Sequence, residues 1–152
     1  MIGIRFEVKN EYNNFLKKIL ASIDVQKYEW DIITDDIIKA EKLRTNDGIF
    51  AADRVNGLHF LDCISKGRYY MIFVDLKAFP AGSYHAQIET YEDFINSDCQ
   101  MILLCVDSIF VEFYSKDELT IKTVYKNCID YEFENIKFIL PDEDSEKSMI
   151  AF

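Results

Sequence analysis

The chain is poor in the residues from which nucleotide and metal sites are usually built. Its five glycines are scattered, so there is no glycine-rich loop to cradle a phosphate and no Gly-x-Ser-x-Gly elbow to present a serine nucleophile. Only two histidines are present, and Cys63, Cys99, Cys105 and Cys128 form no Cys-x-x-Cys pair, which argues against a zinc cage. Asp142, Glu143, Asp144 and Glu146 lack the glycine and spacing of an EF-hand loop. No apolar run approaches the ~20 residues of a membrane span. The opening MIGIRFEVKN alternates and carries charge, unlike a signal peptide. Basic residues are scarce, 17 against 27 acidic ones, for a net charge of −10. Such a surface repels phosphate backbones and anionic lipid. Acidity of this kind first of all keeps a protein soluble; if it also serves recognition, the partner it suits is a basic protein, not nucleic acid or membrane. A cytoplasmic location with free thiols is expected, without metal or cofactor.

What is abundant is core. The apolar fraction is 49% and the aromatic fraction 14% over 152 residues, enough for one domain that buries roughly two-thirds of its unfolded surface. The organising stretch is QMILLCVDSIFVEFYS, residues 100–115. Two β-branched and aromatic arms, Met101–Val106 and Ile109–Tyr114, flank Asp107-Ser108 and predict a β-hairpin. Asp-Ser satisfies the positive φ of a two-residue turn less well than Asp-Gly, so a slightly longer loop is admissible. The first arm has no polar alternation, which predicts an interior strand beside Tyr70–Leu76.

Around it, Ile2, Ile4, Phe6 and Val8 alternate as a strand. Tyr12, Phe15, Leu16, Ile19, Leu20 and Ile23 predict a long helix capped by Asn10. Tyr28–Ile32 reads as a strand. In residues 35–55, Ile37, Ile38 and Leu43 suit a short helix or an edge strand equally; the preferred reading is strand, Asn46-Asp47-Gly48 turn, then Ile49-Phe50 pairing back. Residues 56–66 predict a helix with Leu58, Leu61 and Ile64 inward and Gly67 ending it. Arg68–Phe79 is an apolar strand interrupted by Asp75 and Lys77 and stopped by Pro80. Thr90-Tyr-Glu-Asp93 predicts a capping box. Ser115 is expected to cap a last helix striped by Ile121, Val124, Tyr125, Cys128 and Ile129. Ile136, Phe138 and Leu140 close the fold as a strand. The expected class is α+β: a mixed β-sheet with helices packed mainly on one face, the second half in βαββαβ (ferredoxin-like) order. Residues 1–140 form a single domain in this reading, and 141–152 an acidic, then apolar, loose tail.

GIRFEVKNEYNNFLKKIL, YYMIFVDLKAFP and TYEDFINSDCQMILLCVDS resemble a family of small bacterial proteins known only as a domain of unknown function. The resemblance covers most of the chain and is weakest over residues 35–55 and the last ten. It implies a small, single-domain, soluble bacterial protein and carries no activity or site residue.

For function, two readings compete. The first is a non-enzymatic protein-interaction module, immunity- or inhibitor-like, drawn from the acidity and the missing catalytic set. The alternative is a small enzyme or small-ligand binder with its site near Asp75, Lys77, His85 and Cys99. Asp75 and Lys77 share a strand face; the plainer view is that the strand emerges into solvent there. Cys99 and His85 could meet at one end of the sheet, where histidine would favour a thiolate. Against that stand an inert thiol and a surface histidine. His59, Cys63, Cys105 and Cys128 read as structural. Exposed edge strands admit a monomer or a homodimer.

Overall fold

In the computed structural model, which describes residues 1–40, 48–141 and 147–151, alternation and apolar runs resolve into strands β1 (Gly3–Glu7), β2 (Tyr28–Lys39), β3 (Arg54–Asn56), β4 (Tyr69–Pro80), β5 (Met101–Val106), β6 (Phe110–Ser115) and β7 (Glu134–Ile139). The helices are α1 (Phe15–Ile19), α2 (Gly57–Ser65), α3 (Tyr91–Ile95) and α4 (Glu118–Asp130). One sheet runs β3-β2-β4-β5-β6-β1-β7. The class is α+β, and the second half follows the βαββαβ order along the chain. The sheet is not mixed, however, because every neighbouring pair is antiparallel. Nor do β4 and β5 straddle a third strand as in a ferredoxin-like unit; they pair directly. Only β6 and β7 keep a crossover through α4, with β1 lying between them and antiparallel to both.

β5 is the middle strand, with β4 and β6 on either side, as its unbroken apolar run requires. Its hairpin loop is residues 107–109, since Val106 pairs with Phe110. Asp107 and Ser108 adopt φ of 53° and 71°. The left-handed turn therefore forms without glycine, at the cost of one extra residue.

Two apolar layers cover the sheet. Beneath α1, α2 and α4 lie Ile4, Phe6, Leu16, Trp30, Phe60, Leu76, Leu103, Phe113 and Val124. Trp30 stacks on Phe60 with centroids 3.9 Å apart, and Trp30 Nε1 donates to the Val25 carbonyl at 3.0 Å. On the opposite face Phe79, Ile88, Phe94, Ile102, Leu104, Tyr114 and Met149 form the second layer. Helices thus pack mainly on one face, but α3, through Phe94, lies on the face opposite α4.

Several local expectations are corrected. α1 has five residues rather than a long run: Asn13 is drawn into a bridge with Tyr69 (N–H to carbonyl 3.0 and 3.1 Å) before the helix starts, and past its end Ser22 turns to φ 67° while the Ile19 and Ala21 carbonyls accept from Asn127 Nδ2 at 2.9 and 2.7 Å. Asn14, not Asn10, stands at the N-cap. β2 is paired by Arg54–Asn56, not by Ile49-Phe50. Ile49 and Phe50 instead donate their amides to the Asp35 carboxylate, at 3.0 Å each to Oδ2. Leu43 and, of the expected 46–48 turn, Asn46 and Asp47 lie outside the described residues; Gly48 has φ 71°. α2 is capped by Asn56, which accepts from the His59 amide at 2.8 Å. It buries Gly57, Phe60, Cys63 and Ile64, whereas Leu58 is 67% exposed. The α3 capping box between Thr90 and Asp93 is present. α4 is capped by Asp117, and Ser115 only accepts from the Asp117 amide. α4 buries Ile121, Val124, Asn127 and Cys128, while Tyr125 and Ile129 are exposed. Phe138 and Leu140 are also exposed, and Ile139 is the buried residue of β7. Finally, 147–151 is not loose. Ser148 bridges Thr90, the Met149 amide donates to Glu89 at 2.9 Å, and Met149 and Ala151 are fully buried.

Candidate functional site

Strand alternation in β4 sends Val74, Leu76 and Ala78 into the helical layer and Asp75, Lys77 and Phe79 to the opposite face. That face is covered by α3 and residues 147–151, so the charged pair does not emerge into solvent. Asp75 is 0% and Lys77 2% exposed. Lys77 Nζ donates to Asp75 Oδ1 at 2.5 Å. Burial pushes the Asp75 carboxyl up from the ordinary aspartate range, against Lys77 and the Ala151 backbone N–H, which draw it down. Asp75 Oδ2 makes no hydrogen bond of normal geometry among the described residues; the Ala151 amide faces the carboxyl without closing one.

β2 brings the next groups. Asp31 lies opposite Lys77 in the β2–β4 register, and a register shift between Ile32 and Thr34 gives β2 an extra residue, Ile33. The Pro80–Ser83 turn, with Gly82 at φ 78° and the Ser83 amide on the Pro80 carbonyl at 3.1 Å, folds the chain back over the sheet edge. His85 then stacks on Phe79, centroids 4.2 Å apart. Its Nδ1 is 2.8 Å from Asp31 Oδ1, and its Nε2 is 3.7 Å from Glu29 Oε1. Asp31 Oδ1 also accepts from Arg54 Nε at 2.8 Å.

These groups wall a cleft of about 370 Å³ lined by Asp31, Ile33, Lys77, His85, Ala86, Gln87, Ile88, Glu89 and Ile150. The His85 side chain is 3% exposed and that of Asp31 14%. The histidine is thus a buried member of the cleft, not a surface loop residue. Lys77 and His85 reach the same cavity, with Asp75 behind Lys77. Cys99 does not line it: the thiol lies in the apolar layer, donates to the Met101 carbonyl at 3.4 Å and is pushed up to about 12 by burial. His85 is engaged by Asp31 at 2.8 Å, not by Cys99.

Sequence reasoning missed Asp31, Glu89 and Ile150. Only the β2–β4 register, the 85–89 return and the docked 147–151 segment bring them together. It also missed the His59–Cys63 contact, Nε2 to Sγ 3.5 Å, legible as an i, i+4 pair on α2. Its thiol is pushed up by burial, then by Asp62. Among the described residues no group of three or more His, Cys, Asp or Glu side chains could hold a metal ion, and no helix is long and apolar enough to cross a membrane.

The fold and cleft define an α+β protein built on one antiparallel seven-stranded sheet with a buried ion pair beside a small, mainly apolar cleft. The chain belongs to the family described as "Protein of unknown function (DUF2691)", whose model matches residues 1–150. It is 34% identical over 148 residues to "Uncharacterized protein YncE" of Bacillus subtilis (strain 168), covering 97% of each chain. No solved structure matches significantly.

Proposed function

We propose that the protein is a small-ligand binder whose site is the cleft between β2, β4 and residues 85–89. The observation that carries this reading is Lys77: an ammonium 2% exposed, in the wall of a cavity, with one hydrogen-bond partner among the described residues. An ammonium has three donors, and leaving donors buried without acceptors is costly. A lysine serving the fold alone is expected to be satisfied within it. The cleft lies at the small end of the ~300–1,000 Å³ range of ligand sites and mixes apolar walls with a few convergent polar groups. No reaction is assigned, since the nucleophile candidate Cys99 lies outside the cavity. The test is a chemically diverse fragment panel read by amide chemical shifts. Hits are expected to move His85, Ile88 and Ile150; hits confined to other surfaces, or none, remove the reading.

A second reading rests on charge. The net charge of −10 and a hollow of about 310 Å³ in which four glutamates (Glu7, Glu11, Glu132, Glu134) outnumber two lysines (Lys9, Lys18) beside Phe15, Tyr131 and Phe133 suit a basic partner protein in the cytoplasm. The protein would meet it as a monomer or homodimer. Pull-down at low salt from the native host is expected to recover one basic protein that elutes as salt rises. Recovery of none would retire this reading.

A further inference from the structure

Resting on the cleft reading, we propose that the ligand is a zwitterion of amino-acid type with an apolar side chain, its carboxylate on Lys77 and its ammonium on Asp31 and Glu89. The cleft carries both signs of charge without joining them. Lys77 and Asp31 are cross-strand partners on β4 and β2. Lys77 nevertheless turns to Asp75 along its own strand, Asp31 turns to Arg54 and His85, and the exposed Glu89 accepts from Gln87 Nε2 at 2.7 Å through one oxygen. A cationic wall and an anionic wall are left facing one cavity of about 370 Å³, with Ile33, Ile88 and Ile150 as its apolar lining.

The alternatives fit less well. A simple anion would satisfy the spare Lys77 donors but would meet Asp31 and Glu89 in the same cavity, with Glu29 3.7 Å behind His85. Like charges at such range repel one another. A simple cation would satisfy the carboxylates and leave the Lys77 donors unfilled. An uncharged ligand would use neither wall fully. A zwitterion answers both, and an aliphatic side chain covers the isoleucines. Asp75 stands behind Lys77 as its buried partner, its carboxyl pKa raised by burial against the lowering effect of Lys77.

The experiment titrates the full chain with four probes that share one side chain: L-leucine, L-leucinamide, N-acetyl-L-leucine and N-acetyl-L-leucinamide. Amide shifts locate the binding and give dissociation constants. Leucine is expected to bind in the cleft at least tenfold more tightly than each blocked form. Lys77→Met alone strands Asp75 in the interior, so the double variant Asp75→Asn/Lys77→Met carries the mutational arm, alongside Asp31→Asn. Each is expected to erase the preference for the free carboxylate or the free ammonium, respectively. A blocked probe that binds the cleft as well as leucine overturns the zwitterion while leaving the cleft as a ligand site. No cleft shift with any of the four also overturns it, and the fragment panel then decides the cleft reading separately.

Discussion

Lys77 stands directly across the β2–β4 ladder from Asp31, yet no ion pair links them. Lys77 Nζ lies 2.5 Å from Asp75 Oδ1, and Asp31 Oδ1 is 2.8 Å from both Arg54 Nε and His85 Nδ1. Two adjacent charges of opposite sign are thus committed to different partners, and both line the same cleft.

The Asp75–Lys77 pair predicts an asymmetry in stability. Removing one partner of a fully buried pair leaves an uncompensated charge and costs about 3–5 kcal/mol. Replacing both with neutral groups of similar shape costs much less. Urea unfolding of Lys77→Met and of Asp75→Asn/Lys77→Met is expected to show the double variant as the more stable of the two.

Asp35 predicts a pH effect. Burial raises its pKa from 3.8 to about 6, against the lowering effect of the Phe50 and Ile49 amides. Between those values the folded state holds more protons than the unfolded chain. This carboxyl's contribution is therefore full below pH about 4 and is lost as pH rises through about 6. Asp35→Asn keeps an acceptor for the two amides and is expected to flatten the stability profile in that window, measured as the wild-type-minus-variant difference in unfolding free energy.

The caps separate two serine- and threonine-led motifs that look alike in sequence. Thr90 caps α3 reciprocally with Asp93, so Thr90→Ala is expected to cost about 1 kcal/mol. For α4 the same penalty belongs to Asp117→Ala, because Asp117 accepts from Leu119 and Ser115 sits at the end of β6. Thermal unfolding of both variants measures this.

The thiols predict chemical silence. Cys99, Cys105 and Cys128 are fully buried and each pushed up to about 12. With a thiol reagent at pH 8 the native protein is expected to react slowly and first at Cys63, the one with slight exposure (9%). Rapid labelling of Cys99 would contradict its place in the apolar layer.

Much of this fold is legible in the sequence, for reasons visible in single elements. The run MILLCV has no polar alternation and becomes the strand covered on both sides. Thr90 and Asp93 cap as their spacing dictates. Where two forces compete locally, the reading fails. The stripe from Tyr12 to Ile23 has helical spacing, but Asn13 pairs with Tyr69, 56 residues away along the chain, and tertiary hydrogen bonding truncates the helix. The site is legible only in part. Lys77 and Asp75 are conspicuous as charges in an apolar strand, and His85 as one of two histidines. Asp31 in an alternating strand looks like ordinary wet-face polarity. Its role depends on register and on a bulge, and neither is encoded in local pattern. The apolar end of a charged tail likewise gives no sign that Met149 and Ala151 close the second layer.

The central claim is that Lys77 is a ligand-contacting group and not merely half of a structural pair. The most direct measurement is the dissociation constant of the tightest cleft-binding fragment for wild type and for Asp75→Asn/Lys77→Met, with folding of the variant checked by its amide spectrum. The account predicts a loss of at least tenfold, about 1.4 kcal/mol, with the fragment's contacts to Ile33 and Ile88 retained. Unchanged affinity in a folded double variant would contradict it.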